Sequence, residues 1–206
     1  STGVQLTKEN SKVAFKERFT KQTSDTEFVV PDTFVSLSRS KAAEAYVKRV
    51  GSYDAYLSGL ADIRYDFQQD RVVYLVKHDN KIVDATGRSL NERKPKWRRY
   101  GDSRYPFLSG NGLCGVIVED CPSACSVSDV WVGIALMGTT LLDEHVDVIK
   151  KFKKVFVALD KDATSKAYMI VRKLRNYVPT RLIVLNKDLK DMERGERNEF
   201  IRRYID

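Results

Sequence analysis

Phe156-Val-Ala-Leu-Asp160-Lys-Asp162-Ala-Thr-Ser-Lys-Ala167 decides the fold. A short apolar run ends in two acids, and a helical pattern begins at once. A buried parallel strand feeding a helix has this form. The helix is expected over Ala163 to Val178, with Ala163, Ala167, Ile170, Val171, Leu174 and Val178 on one stripe. Working outward, strands are expected at Gly115–Val118, Val132–Met137, Val155–Leu159 and Leu182–Leu185. Helices are expected at Ser123–Val130, Leu141–Phe152 and Glu193–Ile205. This alternation implies an α/β domain, a mostly parallel four-stranded sheet flanked by helices.

Before it the period changes. Val72, Val73, Leu75 and Val76 form a strand-like run. His78-Asp79-Asn80 is turn chemistry, and Ile82, Val83 and Ala85 continue as a partner strand. Lys41 to Val50 has helical composition and spacing. A smaller mixed α+β subdomain is therefore expected over residues 1–108, with 1–30 as an extended arm, and the α/β domain over 109–206. Ser109-Gly110-Asn111-Gly112 is the expected hinge.

The 206 residues are 42% hydrophobic, enough for a packed core. The longest apolar run, Val130 to Leu142, is broken by Gly133, Gly138 and two threonines, short of the roughly 20 residues of a membrane span. The first residues lack an apolar signal core, so a cytoplasmic protein is expected. Three cysteines and two histidines make a four-ligand zinc site improbable, and reduced thiols fit a cytoplasm. Cys121, His78 and His145 read as packing or structural residues. No Walker-type loop or Gly-x-Gly-x-x-Gly occurs.

Net charge is +8, concentrated in residues 88–104. There Arg88, Arg93, Lys94, Lys96, Arg98, Arg99 and Arg104 face only Glu92 and Asp102, with Trp97 and Tyr100 interleaved. Cations that neutralise phosphates beside rings that stack on bases suit a nucleic-acid strand. A solvated charged loop has the same composition, and both readings stay open here.

Three of the four expected strands end in acids: Glu119-Asp120, Asp160-Lys161-Asp162, and Asn186-Lys187-Asp188 with Asp191 beyond. Sites in open parallel sheets form outside the carboxyl ends of strands. If the strand persists, Asp160 and Asp162 project from one face. Clustered carboxylates repel unless a cation joins them, and oxygen-only ligands suit Mg²⁺ or Mn²⁺. The bland alternative is that Asp120 and Asp162 merely cap helices.

Gly115-Val-Ile-Val-Glu119-Asp120-Cys-Pro-Ser123, the Asp160-Lys-Asp162 stretch and Leu182-Ile-Val-Leu-Asn-Lys-Asp188 together resemble the TOPRIM domain of primases and topoisomerases. Arg71, Gly87-Arg88 and Pro95-Lys96-Trp97 resemble the segment that precedes TOPRIM in DnaG-type primases and their phage relatives. The resemblance covers about residues 60–192. It implies a primase catalytic core making short RNA primers on single-stranded DNA from ribonucleoside triphosphates, with a replicative helicase as a possible partner. It implies Glu119, Asp160 and Asp162 as catalytic metal ligands, with Asp188 assisting, and Mg²⁺ or Mn²⁺ as cofactor. Arg71, Arg88, Lys94, Lys96, Trp97, Arg98 and Arg99 would contact nucleotide or template. A TOPRIM nuclease, or a non-catalytic nucleic-acid-binding replisome module, would share these features. The sequence departs from the family where Glu-Gly is usual, reading Glu119-Asp120, and where an aspartate is usual it carries Ser123. Two arginines, Arg98 and Arg99, follow Trp97 in place of Leu-Asn. No zinc-binding module and no helicase domain accompany the matched stretch, so those roles would fall to a longer chain or to partners.

Overall fold

The computed structural model describes residues 27–204. Most of the expected arm at 1–30 lies outside them, and 27–30 form no regular element. Two five-stranded sheets carry the structure. The first is antiparallel, in the order β1 (Phe34–Val35), β2 (Ile63–Asp66), β3 (Arg71–His78), β4 (Lys81–Ser89), β5 (Trp97–Arg99). Helices α1 (Lys41–Arg49) and α2 (Tyr53–Leu57) precede β2. Helix α1 starts where the Ser40 side chain accepts the Ala43 N–H at 3.1 Å, and Lys48 and Arg49 complement its carboxyl end. The β3–β4 hairpin turns on Asp79 and Asn80, both at positive φ (49° and 63°), the two-residue geometry that matches strand twist.

The second sheet runs β10 (Thr180–Leu182), β9 (Lys154–Val157), β7 (Cys114–Val118), β8 (Val132–Ala135), β6 (Phe107–Ser109). The first four are parallel, as expected, but β6 is a fifth strand, antiparallel to β8. It lies across residues 108 and 109. The strand expected at Leu182–Leu185 pairs earlier, at Thr180–Leu182. Ile183 and Leu185 are nevertheless buried, which accounts for their apolar pattern. Around this sheet stand α3 (Cys121–Ser126), α4 (Asp143–Ile149), α5 (Thr164–Leu174) and α6 (Arg194–Arg202). Helix α5 buries Ala167, Ile170, Val171 and Leu174, one face at helical spacing. Burial of each large aliphatic side chain contributes about 1.5–3 kcal/mol. Gly133 lets α3 lie directly on β8: a Cβ there would fall 2.0 Å from the Ala124 carbonyl oxygen.

One core cluster joins the two sheets. Val72, Tyr74 and Val76 of β3 pack with Phe107, Val116, Val118 and Phe156 from the second. Tyr74 meets Phe107 edge-on at 5.8 Å and Trp97 at 5.9 Å, and its hydroxyl bonds Ser52 Oγ at 3.0 Å. Among the described residues no helix is long and apolar enough to cross a membrane.

His145 is structural, but buried rather than at the surface or half-buried as its setting beside Asp143 and Glu144 suggests. It is 2% exposed, and its Nδ1 accepts the Leu142 N–H at 3.1 Å at the start of α4. Burial, only partly opposed by Glu144, lowers its pKa to about 4. The folded state thus resists a proton that the unfolded chain takes near 6.5. Stability is full above that pH and falls as pH drops toward 4, by up to about 3 kcal/mol. Denaturant unfolding at pH 7 and pH 4.5 checks this. The His145→Asn variant, which retains an acceptor for Leu142, should lack that part of the acid-induced loss.

Candidate active site

Strand β7 is the centre of the second sheet, with β8 and β9 as parallel neighbours. Its last residues are buried, and Glu119 follows immediately. Ile117 is in register with Val157, and Ala158 N donates to Ile117 O at 2.9 Å, so β9 ends beside Glu119 and delivers Asp160. On the other flank Gly138 N donates to the Glu119 carbonyl at 3.2 Å. Met137, just before it, holds a left-handed φ of 57°. Non-glycine residues in this region cluster at functional sites.

The Glu119 carboxyl is poorly satisfied. Its Oε1 is buried and has no hydrogen-bond partner. Burial first, and the charge of Asp160 second, push its pKa up to about 7, although a backbone N–H of Asp160 pulls it partly back. Asp160 is raised to about 6 by burial and then by Asp188, with Lys190 pulling it down. These two acids therefore share one low-dielectric corner, where the charge of Asp160 disfavours that of Glu119.

The other expected ligands are placed differently. The strand ends at Val157, and Asp160 leads into a 3-10 turn at Lys161–Ala163. The condition for Asp160 and Asp162 to share a strand face is not met, and Asp162 is exposed. It still lies near enough to raise the pKa of both Glu119 and Asp160. Asp188 precedes a 3-10 turn at Leu189–Asp191, and its side chain caps nothing. Asp120 does act as a cap: its Oδ1 accepts the Ser123 N–H at 2.9 Å at the start of α3. Its Oδ2 pairs with Lys190 Nζ at 2.5 Å. Sequence reasoning missed Lys190. Its position two residues after Asp188 carries no signal that it turns inward.

Among the described residues no three His, Cys, Asp or Glu side chains form a ready-made metal cage. The Glu119–Asp160 pair, with an unmet buried acceptor and only oxygen donors, fits an ion that binds one or two carboxylates and keeps waters or substrate phosphates as its other ligands. Mg²⁺ has that habit.

Facing this corner is the first sheet. Thr86 pairs with Arg99 and Arg88 with Trp97, so these four share one face. Thr86, Trp97 and Arg99 line a cavity of about 380 Å³ together with Glu119, Asp120, Cys121, Met137 and Gly138. Arg88 lies 5.8 Å over the Trp97 ring and 6.0 Å over Tyr46. Strand alternation thus divides the basic residues expected to contact nucleotide or template. Arg98 points to the opposite face, 5.3 Å over Tyr100, while Lys94 and Lys96 are exposed on the β4–β5 connection.

Two of the expected contacts are committed elsewhere. Arg71 is 1% exposed and donates to the Gly87 and Lys96 carbonyls at 3.2 and 3.4 Å. Its guanidinium holds β4 to the chain entering β5 rather than facing a ligand. Arg99 is paired with fully buried Asp84. Cys121, buried with its thiol pKa raised by that burial, is a packing residue.

The fold is similar to that of DnaG-type primase catalytic cores. The catalytic core of Escherichia coli primase superposes with a TM-score of 0.64 at 14% identity, over 81% of this chain and 72% of that one. A DnaG primase catalytic domain bound to single-stranded DNA gives 0.57 at 14% identity over 81% of this chain, and a DNA primase domain from Pseudomonas aeruginosa gives 0.56 at 16% over 82%. This chain spans 59% and 61% of those last two. At such identities the likeness is one of fold. No family model matches the sequence, and no curated protein matches it.

The raised Glu119 pKa has a testable sign. Between the unfolded value of about 4.5 and the folded value of about 7, the native state holds the proton more tightly. In metal-free protein, stability contributed by this group therefore falls as pH rises through that window. Glu119→Gln should match wild type in stability relative to its own acid limit below pH 4.5 and gain on it progressively toward pH 8. Thermal midpoints of both proteins across that range, in chelator, check the divergence.

Proposed function

We propose that this chain is a primase-type catalytic core that joins ribonucleotides into short primers on a single-stranded DNA template. The observation that carries the reading is the cavity between the sheets. One wall presents Glu119, with Asp160 next to it, and the other presents Trp97, over whose ring Arg88 lies, in a primase-core fold. Glu119 and Asp160 would hold Mg²⁺ or Mn²⁺, with Asp162 and Asp188 reaching it through water. When bound, that ion would lower the pKa of the primer 3′-hydroxyl and offset charge as pyrophosphate leaves.

The chain's own residues supply position. Trp97 offers a ring to a base, and Arg88, held between Trp97 and Tyr46, offers its guanidinium to phosphate. Lys94 and Lys96, free in solvent, suit the template backbone. Base pairing with the template selects the incoming nucleotide. A replicative helicase is the natural partner of such an activity.

One observation favours a second reading, a non-catalytic nucleic-acid-binding module: no three ligands converge among the described residues. Incubation with single-stranded DNA, labelled ribonucleoside triphosphates and Mg²⁺ separates the possibilities. Template-dependent ribonucleotide products support the proposal. Shortened DNA would mark a nuclease. DNA binding with neither product would mark the binding module.

A further inference from the structure

Lys190 reaches the acidic corner from a segment seventy residues distant in sequence from its partner Asp120. It is held there from both sides. Behind it, Arg197, 6% exposed, donates from Nη1 to the Leu189 carbonyl at 3.2 Å and to the Met192 carbonyl at 2.8 Å. This fixes the turn that carries Lys190. In front, Asp120 is fixed because its Oδ1 caps α3, leaving Oδ2 to grip the ammonium. Both oxygens of Asp120 are thereby used, although it stands next to Glu119. The Lys190 and Asp120 side chains are only 24% and 23% exposed. Burial works against the lysine charge, yet Asp120, Asp160 and Asp188 outweigh it and keep its pKa above the ordinary lysine value. A half-buried, doubly anchored cation among three carboxylates is a structural choice with a consequence for any other cation that enters.

We propose that the Lys190 ammonium is the resident cation of this site: clasped by Asp120, the residue next to Glu119, it fills the place of a second divalent ion, so that the corner takes up one divalent ion, on the Glu119–Asp160 side. This inference rests on the metal assignment made above for Glu119 and Asp160. A second divalent ion on the Asp120–Asp188 side would have to sit against a fixed positive charge, and like charges a few ångströms apart oppose each other strongly at low dielectric. The lysine also lowers the net negative charge of the corner without requiring metal, which fits the absence of a ready-made three-ligand cage among the described residues.

The test is Mn²⁺ binding to the whole chain, read by electron paramagnetic resonance and by calorimetry without substrate. Wild type should bind one Mn²⁺, and Lys190→Arg should match it. Lys190→Gln and Lys190→Met should each bind a second Mn²⁺, or bind the first at least about tenfold more tightly. Unchanged stoichiometry and affinity in both neutral variants, with wild-type unfolding midpoints, would overturn the proposal. Should one of them fold poorly, the other decides. Asp160→Asn distinguishes the two levels of the account. Loss of the wild-type Mn²⁺ in Asp160→Asn without a gain in Lys190→Gln leaves the metal assignment standing and removes the resident cation. A gain in Lys190→Gln with no Asp160-dependent ion in wild type removes the metal assignment and leaves the resident cation.

Discussion

Asp160→Asn should abolish template-directed ribonucleotide incorporation, by about a thousandfold or more, while leaving single-stranded DNA binding within about twofold of wild type. The size follows from the several kcal/mol of charge stabilisation that a bound cation supplies to the transition state. The separation follows from geometry. Asp160 stands at the sheet rim, whereas Arg88, Trp97, Lys94 and Lys96 sit on the other wall of the cleft or outside it. Removing a negative charge lessens the direct repulsion of template phosphates. The substitution should not harm the fold either, because burial and Asp188 already push the Asp160 pKa to about 6. At pH 8 an uncharged amide should be at least as stable as the carboxylate. Incorporation assays beside filter-binding and thermal unfolding check all three statements. A loss of DNA binding parallel to the loss of synthesis would show that Asp160 acts through structure.

Asp84→Ala should cost about 3–5 kcal/mol of stability, a large share of what a domain possesses. Asp84 is wholly buried, and its oxygens collect four donors. Oδ1 accepts Ala85 N–H at 2.7 Å and Gly101 N–H at 2.8 Å, and Oδ2 accepts both Arg99 Nε, at 3.0 Å, and Arg99 Nη2. Truncation takes the Asp84 acceptor from two backbone amides and leaves the partly buried Arg99 guanidinium with only the Ser103 carbonyl, the costly way to break an ion pair. The damage should also reach function, since Arg99 lines the cleft and β5 has only three residues with which to hold Trp97. Denaturant midpoints measure the first effect. Asp84→Asn, which keeps an acceptor for the two amides, should lose less than Asp84→Ala. Equal losses would mean that the carboxylate charge, rather than its acceptor geometry, dominates.

The β–α alternation of the second half is plain in the chain because parallel strands buried on both faces must be continuously apolar, and Val116 to Val118 and Val155 to Leu159 are. Glu119 and Asp160 could be placed for the same reason, each closing such a run. Strand Trp97–Arg99 was hidden because its residues are mostly charged. It forms through pairing with Thr86–Arg88, supported by Arg71 and Asp84 from the neighbouring strands, and none of these contacts is local in sequence. Strand Phe107–Ser109 was hidden by its length. The pairing at Thr180–Leu182 was displaced from the apolar run because Ile183 and Leu185 are buried by packing beyond the ladder. Lys190 and the buried role of Arg71 follow from tertiary burial alone. A basic residue in an exposed track and one threaded under a sheet look identical in the written chain.

In the proposed function, Glu119 and Asp160 meet at one rim to hold a divalent ion. Anomalous diffraction from crystals equilibrated with Mn²⁺ tests it most directly. One strong peak is expected within coordination distance of oxygens from both carboxylates, with Lys190 still on Asp120. Saturating Mn²⁺ with no peak between those two side chains would contradict it.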